Sequence, residues 1–288
     1  MKMAIVTIDD NNNYGNRLQN YALQSFLKCY ISEVKTIWYD KLTSFELKSI
    51  MSLKSIIKFM INRNSYRYYL NECIRIYNIK KFSQKYIDID FVNDLSKISN
   101  EYDFFITGSD QVWNPNFWFR EKLYSTARFL KFAPKEKRVA YAASIAIPSI
   151  PKDKEQFFRD SLNEMKAISM REKSGAELVK NLTGKDVPVV VDPTILLSKE
   201  EWQKIELVPE WYNGEKYILT YFLGNPSPII ENLAKKNNWK IYNLMDKSNL
   251  DLYASRVEEF VYLIEHAELV ATDSFHACVF SILMNTSF

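Results

Sequence analysis

The sequence predicts an α/β protein built of two Rossmann-like halves. Short runs rich in β-branched and aromatic residues alternate with segments whose apolar residues recur at helical spacing, the pattern of parallel strands joined by helices. The length, 288 residues, suits one large domain or two of moderate size. The strand–helix rhythm starts afresh late in the chain, so the boundary falls between about Leu197 and Lys216. The expected domains are therefore 1–197 and 216–288.

The elements follow in order. "MAIVTI" reads as the first strand. The next helix carries Leu18, Tyr21, Ala22, Phe26 and Cys29 on one stripe. "VKTIWYD" reads as the second strand. From Lys41 to Tyr86 the pattern changes. Ile50, Leu53, Ile57, Met60 and Ile61, then Leu70, Cys73, Ile74 and Tyr77, recur at helical spacing, which predicts two or three helices inserted in the first domain. Ten Lys/Arg against Glu46 and Glu72 give this insertion a local charge of +8. "YDFFITGSD" and "RVAYAAS" are further strands. A helix with Pro151 near its first turn follows. "AISM" and "VPVVV" flank a helix from Glu172 to about Leu182, which Gly184 is placed to end. The second set comprises strand "KYILTYFL", helix "PSPIIENLAKKN", strand "KIYNLM", helix "VEEFVYLIEHA", strand "ELVAT" and the helix opened by "DSFHA".

Composition narrows the function. Hydrophobic residues make up 47% and charged residues 25%, as in an ordinary soluble domain. A net charge of +3 does not point to nucleic acid. Three scattered cysteines form no CxxC pair, which excludes a zinc knuckle or a redox dithiol, and two histidines cannot build a three-histidine metal site. GxGxxG, Walker, HExxH and GxSxG patterns are all missing. No signal-peptide pattern and no run of about 20 apolar residues occurs, which makes the cytoplasm the expected location.

What remains is anion chemistry. "TDSFHA" should place Thr272 to Ser274 around a helix N-cap, whose unpaired N–H groups attract phosphate or carboxylate. His276 could add a donor or shuttle a proton. The alternative is an ordinary capped helix with its histidine packed on the sheet. Arg171, after an apolar strand, suits bidentate recognition of an anion; the alternative is a surface ion pair with Glu172 or a nearby acid. In "GSDQVWNPNFW", Gly108 allows a tight strand exit, and Ser109, Asp110 and Gln111 offer polar contacts. Trp113 and Trp118 either form a stacking face for a sugar or base or fill inter-domain space. Asn13, Gly15 and Asn16 line a polar first turn where Gly15 lets backbone approach a ligand, or form a loop and helix cap. Asp192, before Pro193, reads as a turn or capping residue.

Together, "N-x-G-N-x-L-Q-x-Y-A-L", "GSDQVW", "SMRE", "VDPTILL" and "TDSFHA" resemble, in order, the polysaccharide pyruvyl transferase family, from Asn13 to the C-terminus. The resemblance implies a two-domain, GT-B-like arrangement. It also implies transfer of the enolpyruvyl unit of phosphoenolpyruvate to a sugar as a pyruvate ketal. The acceptor would be a cell-surface polysaccharide or its lipid-linked precursor. Donor recognition then falls to Arg171 and His276. Some members carry arginine two residues before that histidine; here Ser274 stands there. The required acid and base are assigned to His276 and Asp110, with Asn13, Gly15, Asn16, Gly108, Ser109, Gln111, Arg171 and Ser274 in binding. No cofactor and no metal is called for.

Two rival readings are a nucleotide-sugar glycosyltransferase on the same architecture and a non-catalytic scaffold in polysaccharide assembly. The basic insertion, interleaved with Tyr66, Tyr68, Tyr69 and Tyr77, raises peripheral contact with anionic lipid at the inner membrane face, against a solvated helical face. Lys54, Lys58 and Arg67 are its test residues. The sequence stops where a further strand of the second domain is expected, so that domain is expected to be truncated or completed by a partner.

Overall fold

The computed structural model describes residues 1–9, 13–39, 63–118, 121–224 and 226–288. Two compact units emerge. Among the described residues, the first holds 1–9, 19–39 and 86–196, and the second holds 13–18, 63–85 and 197–288.

The first unit is a parallel six-stranded sheet. Its strands are β1 (Lys2–Val6), β2 (Glu33–Tyr39), β3 (Ile89–Val92), β4 (Phe104–Thr107), β5 (Arg138–Ala143) and β6 (Ala167–Met170). Their order, β3-β2-β1-β4-β5-β6, is that of the doubly wound Rossmann sheet. Helix α1 (Tyr14–Lys28) joins β1 to β2, with its start up to Leu18 grouped in the second unit. Helix α2 (Arg63–Tyr86) lies between β2 and β3 in the chain. Helices α3 (Glu121–Arg128), α4 (Glu155–Asn163) and α5 (Lys173–Thr183) follow.

Strand alternation explains how both faces are covered. Ile5 and Ile106 pack with Leu23 of α1, whereas Ala4, Val6 and Phe105 belong to the larger core with Phe129 and Phe158. Polar side chains of α1 fix the neighbouring strands. Gln24 donates to the Asp88 carbonyl and accepts from the Asp88 N–H, and Thr36 donates to Asn20. Gly184 ends α5 at φ 75, as its place in the sequence predicts.

One strand is unforeseen, and two expectations change here. Strand β3, an edge strand, escapes a hydrophobicity reading because Asp90 interrupts it and Phe91 faces solvent. "VPVVV" forms a single bridge, Met170 to Val189, rather than a strand; Pro188 has no N–H to extend the ladder. Cys29 lies past the end of α1 and is exposed, off the helix stripe.

The second unit holds a parallel sheet of order β8-β7-β9, formed by β7 (Tyr217–Tyr221), β8 (Lys240–Asn243) and β9 (Leu269–Thr272). Every residue of β7 is buried, as befits a central strand covered on both faces. Around it stand α6 (Lys199–Gln203), α7 (Ile229–Asn237), α8 (Leu250–Tyr253), α9 (Val257–Glu265) and α10 (Phe275–Met284). A capping box of Ser198 and Glu201 opens α6. Trp202 of α6 is fully buried and meets Phe280 of α10 edge-on at 4.8 Å. After α10 the chain runs beside β9, where Val270 N–H donates to the Ser287 carbonyl.

Helix α2 belongs to this second unit, not to the first domain as its chain position suggests. Buried Arg75 donates to the carbonyls of Tyr253 (2.7 Å) and Leu244 and to the Tyr14 hydroxyl (3.1 Å). Its guanidinium also lies over the rings of Tyr14 and Tyr253. Asn71 and Asn78 donate to the carbonyls of Lys247 and Ala254. These long-range bonds override chain proximity. The remainder of the expected insertion, including Lys54 and Lys58, lies outside the described residues.

Candidate functional site

In the first unit, polar residues gather at the carboxyl ends of β4, β5 and β6, where ligands bind in doubly wound sheets. Gly108 leaves β4 at φ 118, and a Cβ there would stand 2.1 Å from the Tyr141 carbonyl oxygen, so only glycine fits. Ser109 is fully buried. Its N–H donates to Gln19 Oε1, and its hydroxyl lies 2.9 Å from Asp192 Oδ2 and 3.0 Å from the Ala142 carbonyl oxygen. Asp110, Ala142 and Ala146 all have positive φ without being glycine (58°, 49° and 52°). Such sparsely populated backbone concentrates at functional sites.

Arg171 follows β6 directly. Its Nη1 donates to Asp192 Oδ2 at 3.0 Å, its Nη2 lies 3.6 Å from Asp110 Oδ1, and its Nε lies 4.0 Å from Glu172 Oε2. The side chain is only 11% exposed, so the surface ion pair of the sequence reading is replaced by a largely buried one. One guanidinium thus faces three carboxylates. Glu172 also accepts from the N–H groups of Ile145 and Ala146, tying β6 to the loop after β5.

Asp192 is the residue the sequence reading underrated. It does cap its own turn: Oδ1 accepts from the Thr194 N–H (3.0 Å) and hydroxyl (2.8 Å). It also gathers Ser109 and Arg171 through Oδ2. A buried carboxylate placed between two strand ends is a tertiary fact, and a local "DPT" cannot reveal it.

Gln111 points elsewhere, accepting from Asn114 Nδ2 at 2.7 Å. The tryptophans are neither a ligand-stacking face nor inter-domain filler. Trp113 is fully buried, stacks on Phe129 (centroids 5.0 Å apart, 3° between planes) and donates to the Arg128 carbonyl. Trp118 stacks on Phe158 in the same core.

In the second unit, the starts of two helices meet. Asn13 Oδ1 accepts from the Gly15 N–H at 2.8 Å and caps α1. Gly15 lies against the ring of His276, so closely that a Cβ would stand 2.1 Å from Nδ1. His276 is the second residue of α10 and is buried. Ser274 is the N-cap of that helix, accepting from the Ala277 N–H, and its own N–H donates to Thr272 Oγ1. Asp273 accepts from the N–H groups of Leu223 and Gly224 (2.7 and 2.8 Å), fastening the loop after β7. Asn16 and Arg17 are buried in the first turn of α1. Tyr14 beside them stacks on Phe260 and donates to the Ser255 carbonyl, and burial pushes its hydroxyl up to about 12 against the opposing pull of Arg75.

A third cluster sits between α6 and α9. Glu206, Glu265 and His266 bring their ligand atoms within 4.8 Å of one another, the one such group among the described residues able to hold a cation. Lys199 and Gln203 already donate to Glu265 Oε1, each at 2.8 Å. Burial and the shared hydrogen bond with Glu265 push Glu206 up to about 8.

A family model for polysaccharide pyruvyl transferase matches residues 13–288, from the α1 cap through His276 to the last residue. The chain belongs to the polysaccharide pyruvyl transferase family. It is therefore a transferase. Both polar clusters of this pyruvyl transferase family member, around Arg171 and around His276, lie inside the matched span. No curated protein matches the chain. Among the described residues no helix is long and apolar enough to cross a membrane.

Proposed function

We propose that this chain transfers the pyruvyl unit of phosphoenolpyruvate onto a saccharide of a cell-surface polysaccharide or its lipid-linked precursor, forming a cyclic ketal. The family match over 13–288 is the observation that carries the reading. In this chemistry a proton is delivered to the terminal methylene carbon of the donor, which becomes a methyl group. The adjacent carbon turns electrophilic, one sugar hydroxyl attacks it, and inorganic phosphate departs. A second hydroxyl closes the ketal, and the protons of both hydroxyls pass to bases or solvent.

Arg171 is assigned to the donor's carboxylate or phosphate. An anion approaching it meets the carboxylates of Asp110, Asp192 and Glu172. Asp110, 3.6 Å from that guanidinium, is assigned the role of the acid. His276 and the N-terminus of α10, with Ser274 and the Asn13–Asn16 turn, are assigned to the phosphate and to proton transfer. Gly108 and Ser109 shape the strand exit that supports Asp110; Gln111 is assigned to the rim.

The proposed setting is supported by the exposed face of α2. That face presents Tyr66, Leu70, Ile74 and Tyr77 beside Arg67, Lys80 and Lys81, a composition suited to an anionic lipid surface. We propose a cytoplasmic chain in peripheral contact with the inner membrane face.

The test incubates the purified chain with phosphoenolpyruvate and a panel of saccharide acceptors. Acceptor-dependent release of inorganic phosphate and a ketal-bearing product are expected. Nucleotide release from UDP-sugars instead would establish the glycosyltransferase reading, and no turnover with either donor would reject catalysis.

A further inference from the structure

We infer that Asp192 is a positioning residue for the transfer, aiming the guanidinium of Arg171 and locking it to the strand exit that carries Asp110. The inference rests on the reading of Arg171 as a donor-binding residue. The division of labour between the two carboxylate oxygens supports it. Oδ1 accepts from the N–H and hydroxyl of Thr194 and so closes the local turn. Oδ2 is directed the other way, toward Arg171 Nη1 at 3.0 Å and the Ser109 hydroxyl at 2.9 Å. A residue present only to cap the turn would need one oxygen.

The surroundings sharpen this. The Asp192 side chain has no solvent exposure, so water cannot replace Arg171 as its counter-charge. The other carboxylates near Arg171 stand farther off, Asp110 at 3.6 Å and Glu172 at 4.0 Å. Asp192 thus sets the direction of the guanidinium plane, and a planar fork binds an anion well in one orientation only. Through Ser109 the same oxygen reaches the end of β4, one residue before Asp110. The proposed acid and the proposed anion holder are therefore referenced to one buried atom.

D192N keeps the shape but offers either a neutral acceptor or an N–H donor to Arg171. T194V removes a donor to Oδ1 alone. Two readouts are compared in the full chain: phosphoenolpyruvate affinity by calorimetry, and the rate of phenylglyoxal labelling at Arg171 by peptide mass mapping. D192N is expected to weaken the donor by about 10- to 10²-fold, the worth of one misaligned hydrogen bond to a charged group, and to speed labelling severalfold. T194V should change melting temperature but neither readout. D192N should add nothing to the loss caused by R171Q. If D192N does not fold, D192E must shift both readouts in the same direction. Unchanged labelling in the folded Asp192 variants, or equal effects of D192N and T194V, overturns the inference. A wild-type chain that binds no phosphoenolpyruvate rejects the donor reading alone, and the labelling comparison still decides the role of Asp192.

Discussion

Gly15 and His276, 261 positions apart in sequence, share one space: the imidazole occupies the volume that any side chain on residue 15 would need. Nδ1, Cγ and Cε1 of the ring would stand 2.1, 2.3 and 2.8 Å from a Cβ. The glycine of the "NYGN" turn is thus required by packing against the ring. G15A should destabilise the chain by about 1–3 kcal/mol, the usual cost of overpacking. The double variant G15A/H276A should recover most of that loss, because the obstacle is gone. Thermal melting of the four-member cycle checks this, and additive losses would refute the shared space.

His276 should matter to chemistry more than to folding. H276Q is expected to lower ketal formation by about 10²- to 10⁴-fold, the range of a lost acid or base, with the melting temperature little changed. A variant that keeps its rate would remove His276 from the mechanism.

Trp113 gives the opposite expectation. Its ring is internal to the first unit and stacked on Phe129. W113A should cost about 3–5 kcal/mol of stability. In whatever fraction stays folded, donor affinity should be unchanged. Selective loss of saccharide binding without destabilisation would contradict its place in the core.

The Glu206–Glu265 pair predicts a pH dependence of stability. Burial raises Glu206 from an ordinary 4.5 to about 8. A carboxyl raised on folding stabilises fully below its unfolded value, and that contribution is lost as pH climbs from about 4.5 through about 8. Glu265 is lowered through its hydrogen bonds with Glu206, Lys199 and Gln203, despite burial; its contribution is present above the ordinary value and lost on acidification. Melting temperature should therefore fall across the 4.5–8 window in wild type and fall less in E206Q. Identical slopes would mean that the pair holds no proton.

The sequence disclosed the strand rhythm because central strands such as β1 and β7 are continuous apolar runs, and it disclosed the caps at Gly184 and Ser274 because cap chemistry is local. It disclosed that polar motifs follow strands. What stayed hidden depends on distant partners. Arg75 reads as one more basic residue of an exposed helix until Tyr253 and Leu244 are beside it. Trp113 reads as a ligand platform until Phe129 covers it. Asp192 reads as a turn residue because its second oxygen points at residues 21 and 83 positions away.

Trp202 supplies a readout that needs no added probe. Its ring abuts Phe280, one turn beyond the start of the helix that carries His276. Fully enclosed indole should emit at short wavelength and resist quenching by iodide, and α10 forms part of its enclosure. Any ligand that reseats this helix will therefore register in the Trp202 emission, which a chain with its other five tryptophans replaced by phenylalanine would isolate.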